Sequence, residues 1–352
     1  MFRKSKSIVG LDLGSQVVKA VEITLDGPEP VITGFARAEV APGGDRGEAI
    51  AKVFAQGRFR GKDVVTSVSG QSVVVRYITM VKMSESELRQ AIRFESDKYL
   101  PFDADEVVMD CQQLSRIPPS GTEGGGEKGD QMGVVLAACR ISAVEERMKE
   151  ITRLHLHPVA VDVDVFALAN AWELCGLAEA GLEDEGGAEK AIALVDVGAT
   201  CTSINVLANG ETCFSREIGI GGSDMTQACA RRLGVEAFEA EAIKRQAEGR
   251  EAEVSRAIAP VLEDLVSEIS LSLDYVENRE GLRVEEVLLS GGGSMAPGAV
   301  SFIEQATGRP TRTWNPLEGL RVASDRVDVE ELEACAPSLA VAIGLASRVR
   351  AA

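Results

Sequence analysis

The sequence lacks the features of several common protein classes. It has no apolar run approaching the roughly 20 residues that a membrane-spanning helix needs, and no apolar signal-peptide stretch near its start. The only histidines, His155 and His157, are too few for a typical zinc site. The seven cysteines are scattered and form no Cys-x-x-Cys pair, as is typical of free thiols in a reducing compartment. We therefore expect a soluble, cytoplasmic protein that contacts membranes only through partners.

An excess of basic residues is also missing. The chain has 37 Lys and Arg against 55 Asp and Glu, a formal net charge of −18. Such a chain repels phosphate backbones, which argues against a nucleic-acid partner. A nucleotide can still bind where backbone N–H groups and a bound Mg²⁺ dominate the local field. The 352 residues, of which 45% are hydrophobic, predict two or three domains with a substantial core.

An apolar, strand-like run that leads into Asp-x-Gly occurs twice. The first leads into Asp12-Leu13-Gly14-Ser15 and the second into Asp196-Val197-Gly198-Ala199-Thr200, about 184 residues later. Each is followed by a further strand and a turn, Asp26-Gly27 in the first case and Asn209-Gly210 in the second. The repetition predicts two related α/β halves that face each other across a cleft lined by the two Asp-x-Gly turns.

These turns suit phosphate chemistry. The glycine lets the turn tighten and lets backbone N–H groups approach an oxygen closely. The aspartate can hold Mg²⁺ through water, because Mg²⁺ keeps much of its hydration shell. Aspartate also favours turns for conformational reasons alone, but the duplication favours a Mg²⁺–nucleotide site. Lys19, on the strand after the first turn, is either a phosphate contact or a solvated strand lysine.

Residues 72–157 differ from both repeats and predict an inserted subdomain. Ser84 and Glu87 form a capping-box pattern at the start of a helix, which Pro101 prevents from continuing. A Pro/Gly-rich stretch, residues 117–130, predicts a surface loop. The expected units are a first subdomain (1–71, 158–185 and 335–352), the insert (72–157), a second subdomain (186–225 and 280–334) and a helical lobe over the nucleotide (226–279).

Together these motifs resemble the superfamily of actin, sugar kinases and 70-kDa heat-shock ATPases. The resemblance implies an actin-like (ribonuclease H-like) fold, with duplicated α/β domains around a cleft that binds ATP and Mg²⁺. Asp12 and Asp196 would serve the metal. The nucleotide residues it implies are Asp12, Gly14, Ser15 and Lys19 in the first phosphate loop, Asp196, Gly198, Ala199 and Thr200 in the second, Gly221 and Gly222, Glu241 and Lys244 beside the nucleoside, and Gly291, Gly292 and Gly293 in the adenosine loop.

Within that superfamily the chain most resembles the PilM family of type IV pilus assembly proteins, which is related to FtsA. The stretches that carry the resemblance are 82–88, 91–95, 99–102, 166–171, 218–222 and 315–317. It implies that the insert is of the FtsA type and that the chain holds the cytoplasmic tail of a PilN-like inner-membrane protein. It also implies a place in a pilus platform coupled to motor ATPases, peripheral to the inner membrane. Arg93, Phe94 and Tyr99 are candidates for the tail groove, although Phe94 and Tyr99 are more typical of a core.

The resemblance also bears on ATP hydrolysis. Active relatives place a Glu or Gln at the start of the helix that links the halves, where it positions the attacking water. Asp164 matches this position but is one methylene shorter, and a misplaced group loses much of its effect. We expect ATP to be bound more than hydrolysed. Two alternatives remain: an FtsA-like membrane-associated filament former, and a small-molecule kinase, for which no catalytic aspartate motif is found in the first half.

Overall fold

The computed structural model describes residues 6–25, 29–118, 130–175 and 190–350. The predicted turn at 26–28 and most of the predicted 117–130 loop lie outside these residues. In chain order, the strands are β1 (Lys6–Leu13), β2 (Val17–Leu25), β3 (Pro30–Glu39), β4 (Asp63–Val68), β5 (Val73–Val81), β6 (Val107–Leu114), β7 (Gln131–Arg140), β8 (His157–Val163), β9 (Lys190–Val197), β10 (Thr202–Ala208), β11 (Glu211–Ile218), β12 (Arg283–Ser290), β13 (Thr311–Thr313) and β14 (Arg321–Val322). The α-helices are α1 (Arg46–Gln56), α2 (Glu85–Glu95), α3 (Ile141–Thr152), α4 (Asp164–Leu174), α5 (Gly222–Leu233), α6 (Ala237–Arg245), α7 (Glu251–Tyr275), α8 (Ala299–Thr307), α9 (Val329–Ala334) and α10 (Ala340–Ala346).

Two sheets share one topology. The first has the order β14-β3-β2-β1-β4-β8 and the second the order β11-β10-β9-β12-β13. In each sheet three strands form an antiparallel meander, and two further strands then add in parallel to its first strand. Apart from the short edge strand β14, the strand order and directions of one sheet repeat those of the other. The predicted duplication is therefore confirmed.

The cores lie between these sheets and the helices that cover them. In α7 the residues Val254, Ile258, Leu262, Leu265 and Ile269 are fully buried at helical spacing against the second sheet. Helices α4 and α10 cover the first sheet with small and aliphatic side chains. A side chain on Gly344 would overlap the backbone of Ala167, so a glycine is required where α10 crosses α4. These contacts fix α4, whose first residue is Asp164, relative to both sheets.

The predicted insert contains a three-stranded sheet, β5-β7-β6, covered by α2. The Ser84–Glu87 capping box is formed as predicted, with the Ser84 N–H donating to Glu87 Oε2 at 2.8 Å. Helix α3, which the sequence assigned to the insert, instead buries Ile151 in the core of the first sheet. Because α3 connects to β8 of that sheet, we propose that the insert ends near Arg140 rather than at residue 157. The other predicted domain limits stay predictions.

Candidate functional site

The two Asp-x-Gly turns face each other across the cleft. The Oγ of Ser15 lies 3.3 Å from the Oγ1 of Thr200. Both turns are equally tight: a Cβ on Gly14 would lie 2.5 Å from the Val17 carbonyl oxygen, and a Cβ on Gly198 would lie 2.8 Å from that of Cys201. The glycines therefore occupy equivalent positions three residues before equivalent carbonyls. This arrangement brings the backbone of both turns to one place, as the phosphate-loop hypothesis requires.

Lys19 is not a solvated strand lysine. It stands directly opposite Asp12 in the β1–β2 ladder, and its Nζ lies 2.6 Å from Asp12 Oδ2. Only 16% of the Lys19 side chain and 13% of the Asp12 side chain are exposed. Burial alone would lower the pKa of Lys19, but the carboxylates of Asp12, Asp196 and Asp164 together raise it above its usual value. Lys19 is therefore a permanently charged ammonium at the base of the cleft.

Asp196 is held by the strand beside it. Ser290 lies opposite Asp196 in the β9–β12 pairing, and its hydroxyl donates to Asp196 Oδ1 at 2.7 Å. Burial raises the pKa of Asp196, although the Ser290 hydrogen bond and the Lys19 charge both oppose the shift. The carboxylate is thus held by Ser290 of the second sheet and only partly neutralised by the Lys19 charge of the first half.

Asp164 belongs to the same group of charges. Burial and the neighbouring Asp12 carboxylate raise its pKa to about 7, while hydrogen bonds from Ser67 and Ser69 oppose the shift. Asp12, Asp164 and Asp196 therefore surround a single ammonium, and the cleft carries excess negative charge. Among the described residues, no three acidic, histidine or cysteine side chains are placed to ligate one metal ion directly. A cation here would be held through water and through ligand oxygens.

The loop before α5 closes over the second turn. The N–H of Gly222 donates to the Gly198 carbonyl at 2.8 Å, and the N–H of Ser223 donates to the Ala199 carbonyl at 2.7 Å. A Cβ on Gly221 would lie 2.7 Å from the Ala199 carbonyl oxygen, so this residue has to be a glycine. Helix α5 therefore begins directly at the second turn, with its N-terminal dipole at the cleft.

Glu241 and Lys244 form a buried cluster rather than an exposed helix pair. The Lys244 ammonium contacts the Gly222 carbonyl at 2.8 Å, the Thr226 Oγ1 at 2.7 Å and the Glu241 Oε2 at 2.7 Å. The Thr226 hydroxyl also donates to Glu241. Burial raises the pKa of Glu241, but Lys244 and these hydrogen bonds lower it overall. The cluster ties α6 to the first turn of α5 and so fixes the Gly221–Gly222 loop.

Gly291, Gly292 and Gly293 follow β12 at the rim of the cleft. Gly291 has a φ of 83°, and a side chain there would overlap the carbonyl of Val197. A Cβ on Gly293 would lie 2.5 Å from Val197 Cγ1. Gly292 has no neighbouring atom within 4 Å of a Cβ position, so it borders open space. Two of the three glycines thus allow close packing on β9, and the middle one leaves room beside it.

Several polar residues at the cleft were not identified from the sequence. Gln16 Nε2 donates to Ser223 Oγ at 2.8 Å across the two halves. Arg245 makes a second connection, since its Nη1 lies 2.8 Å from Glu39 Oε1 at the end of β3. The only sign of their role in the sequence is that Gln16 and Arg245 lie next to predicted site residues. Such proximity in sequence does not show which side chains reach across a cleft.

The insert contacts the second sheet, although it emerges from the first. Tyr77 donates to Ser215 at 3.2 Å, and just before the insert the Gly70 N–H donates to Glu217 at 2.8 Å. Both acceptors lie on edge strand β11. Of the candidates for the partner groove, Phe94 is 90% exposed, so the expectation that it lies in a core is wrong and its place as a groove candidate stays a prediction. Tyr99 packs partly buried against the core of the insert.

The family model described as type IV pilus assembly protein PilM matches residues 10–350. A solved PilM-PilN type IV pilus biogenesis complex is similar at 30% identity, with a TM-score of 0.82 over 97% of this chain and 98% of that one. The ethanolamine utilization protein EutJ from Carboxydothermus hydrogenoformans matches at 16% identity and a TM-score of 0.54, over 99% and 90% of the two chains. MreB5 of Spiroplasma citri bound to AMPPNP matches at 9% identity and a TM-score of 0.51, over 99% and 97%.

The duplicated sheets, the paired turns and these structural matches define a protein with the actin-like ATPase fold. The family model, which matches nearly the whole chain, identifies the family within this fold. The chain belongs to the PilM family of type IV pilus assembly proteins. In the part of the chain that the structure describes, no helix is both long and apolar enough to cross a membrane.

Proposed function

We propose that the chain binds ATP with Mg²⁺ in the cleft and acts as an assembly scaffold for a PilN-like membrane protein. The observation that carries the nucleotide site is the approach of Ser15 to Thr200 at 3.3 Å, which juxtaposes both Asp-x-Gly turns. The backbones of the two turns then border one volume, with the N-terminal dipole of α5 beside it. The solved relative MreB5 with bound AMPPNP supports a nucleotide as the ligand of this fold.

The charges of the cleft fit a magnesium–nucleotide complex. Three buried or half-buried carboxyl groups, on Asp12, Asp164 and Asp196, face the single Lys19 ammonium. A nucleotide polyphosphate alone would add to this repulsion, whereas a divalent cation offsets it. Asp12 and Asp196 would hold Mg²⁺ through its water shell. The cation would neutralise phosphate charge, and Lys19, which gives one of its three N–H donors to Asp12, would use another on a phosphate oxygen.

The remaining predicted residues have distinct parts in this proposal. Open space beside Gly292 gives room for a base and ribose against the Gly291–Gly293 loop. Lys244 is fully engaged by Gly222, Thr226 and Glu241, so it acts by holding the phosphate loop rather than by contacting phosphate. This differs from the sequence-based hypothesis, in which Glu241 and Lys244 border the nucleoside directly.

We propose that turnover is slow. Asp164 begins α4, between β8 and the cleft, and accepts hydrogen bonds from Ser67 and Ser69. Its pKa of about 7 suits a group that accepts a proton from water near neutral pH. However, the Asp164 side chain is hydrogen-bonded to the two serines, and it is shorter than the Glu or Gln of active relatives. ATP would therefore act mainly as a ligand that holds the two halves together.

The partner proposal is supported by the match to a solved PilM-PilN complex. We propose that this chain holds the cytoplasmic tail of a PilN-like protein and is thereby peripheral to the inner membrane. The insert is connected to the second half through the Tyr77–Ser215 hydrogen bond and through the Ser115 N–H, which donates to Glu211 at 3.0 Å. Closure of the cleft around ATP would thus change the position of the insert relative to the first half, and with it any groove between them.

Calorimetric titration with ATP in the presence of Mg²⁺ tests the nucleotide site. We expect saturable binding by the wild-type chain and at least about a tenfold loss of affinity in Asp196→Asn. Asp264→Asn, which changes an exposed aspartate on α7, is the matched control and should bind as the wild type does. No ATP binding by the folded wild-type chain, or equal binding by Asp196→Asn, would reject the site.

A further inference from the structure

Strand β3 has a free edge. It is paired with β2 along its length, but β14 pairs with it only at Val31 and Ile32. Beyond that point the chain after β14 turns away toward α9. In the part of the chain that the structure describes, the rest of β3, from Phe35 to Glu39, therefore forms the edge of the sheet with no further strand beside it. Unpaired edges of this kind accept extended chains unless they are covered.

The pairing with β2 shows which backbone groups face outward. The Val40 N–H donates to the Gln16 carbonyl at 2.8 Å, so these two residues are a hydrogen-bonded pair. In an antiparallel ladder, hydrogen-bonded and non-hydrogen-bonded pairs alternate, so every second residue of β3 counted from Val40 is bonded to β2. The N–H and C=O groups of Phe35, Arg37 and Glu39 consequently face away from β2. Among the described residues, no loop or side-chain group bonds to the N–H groups of Arg37 and Glu39. These residues present backbone donors and acceptors at the spacing of a strand.

A groove of about 720 Å³ runs along this edge. Its floor includes Phe35 to Glu39, and its opposite wall is formed by residues 324–328 and Glu331. The five residues of β3 along the groove span roughly 13 Å. Arg37 Nε lies 3.3 Å from Glu331 Oε1, an exposed pair that connects the two sides. Pairs of this kind contribute little and can open when another group enters.

The charges of the groove favour a basic occupant. Asp325 and Asp328 are exposed on the wall. The nearby Arg326 keeps its positive charge, but among the described residues it forms no ion pair with either aspartate, since its guanidinium donates to the backbone carbonyls of Thr33 at 3.1 Å and Arg58 at 2.7 Å. Over the whole lining, the carboxylates of Glu39, Asp325, Asp328 and Glu331 outnumber the guanidinium groups of Arg37, Arg58 and Arg326. The net charge of −18 also disfavours a second copy of this chain as the occupant.

We propose that this groove binds an extended segment of a partner protein that carries basic side chains and adds to β3 as a further strand. Backbone hydrogen bonds to Phe35, Arg37 and Glu39 would provide affinity, and contacts with Asp325 and Asp328 would select the partner. The groove lies at one edge of the first sheet, whereas β8, next to α3 and the insert, lies at the other. The site is therefore separate from the insert and does not depend on the proposed tail binding.

The first test uses a short synthetic peptide of alternating lysine and valine with the full chain. Backbone amides are followed by NMR or hydrogen exchange. We expect saturable protection of the Arg37 and Glu39 amides, and at least about tenfold weaker binding by the same peptide N-methylated at alternate residues. A peptide with glutamate in place of lysine should bind weakly. Equal binding by the N-methylated peptide, or no protection at β3, would overturn the proposal.

A pair of variants tests the backbone contact directly. Arg37→Ala removes the side chain and keeps the N–H, whereas Arg37→Pro also removes the N–H, which faces away from β2 and can be lost at an edge strand. We expect Arg37→Pro to bind the lysine–valine peptide at least about tenfold more weakly than Arg37→Ala. Equal affinity of the two folded variants would contradict strand addition. Protection that appears with rising protein concentration alone would show self-pairing and would also contradict it.

Discussion

Ser15 Oγ and Thr200 Oγ1 lie 3.3 Å apart, although 185 residues separate them in the sequence. Each belongs to a turn whose aspartate, Asp12 or Asp196, is oriented by a neighbouring strand through Lys19 or Ser290. The contact therefore brings two separately supported carboxylates to one cleft. It is the structural basis for treating the two motifs as one site.

The charge balance of this cleft predicts a strong Mg²⁺ dependence of ATP binding. In the wild type, the excess of carboxylates over Lys19 disfavours free ATP. Asp12→Asn removes one negative charge and releases Lys19 from its 2.6 Å ion pair. We expect the variant to bind ATP more tightly without Mg²⁺ and to gain less affinity when Mg²⁺ is added. Titrations with and without the metal measure this, and an unchanged Mg²⁺ effect would argue against Asp12 as a metal-site residue.

The glycine loop after β12 allows a matched comparison. Gly291→Ala should lower the free energy of unfolding by at least about 2 kcal/mol, because its φ is positive and its Cβ would meet Val197. Gly292→Ala meets no atom within 4 Å and should leave stability nearly unchanged. Its effect should appear in ATP affinity instead. Denaturant unfolding and ATP titration separate the two effects, and a stable Gly291→Ala variant would contradict the packing account.

Much of this arrangement could be predicted from the sequence. The duplicated Asp-x-Gly pattern was sufficient to predict two facing halves, because local turn chemistry and strand periodicity are both encoded nearby in the chain. The Ser84–Glu87 capping box was predictable for the same reason. The apolar stripe of α7, which includes Val254 and Leu265, follows from helical periodicity. Each of these features depends on short-range order.

Other features depend on tertiary contacts and could not be read from the sequence. The predicted insert, residues 72–157, includes helix α3, yet Ile151 of this helix packs in the core of the first sheet. Phe94 is more typical of a core than of a surface, yet it is exposed on α2. The pairing of Arg245 with Glu39 spans 206 residues. In each case the neighbour that decides the outcome comes from a distant part of the chain.

Lys244 provides a test of the buried cluster behind the phosphate loop. Lys244→Met keeps the side-chain volume but leaves Glu241, Thr226 and the Gly222 carbonyl without their shared donor. We expect a loss of about 2–3 kcal/mol in the free energy of unfolding, since one partner of a buried pair is removed. Lys149→Met, at an exposed helix pair, should change stability by less than about 0.5 kcal/mol. Similar effects of the two substitutions would contradict the structural role of Lys244.

Asp164 predicts a pH dependence of stability. Its pKa rises from 3.8 to about 7 on folding, so between these values the folded chain retains a proton that the unfolded chain has lost. This contribution to stability is therefore lost as pH rises through the window. At pH near 8, Asp164→Asn should be more stable than the wild type by about 2 kcal/mol. This is less than the full pKa shift implies, because the side chain is partly exposed and solvent screens its charge. Denaturant unfolding of both proteins across this range checks it; an equal pH dependence would contradict the shifted pKa.

The central claim is that nucleotide in the cleft supports partner binding. Its most direct test is calorimetric titration of the chain with the cytoplasmic tail peptide of its PilN-like partner, with and without ATP and Mg²⁺, alongside an Asp196→Ala variant. We predict tight binding by the ATP-loaded wild type and weaker binding without nucleotide or in the variant. No tail binding by the folded, ATP-loaded wild type would contradict the scaffold account, and equal binding in all three states would contradict its dependence on nucleotide.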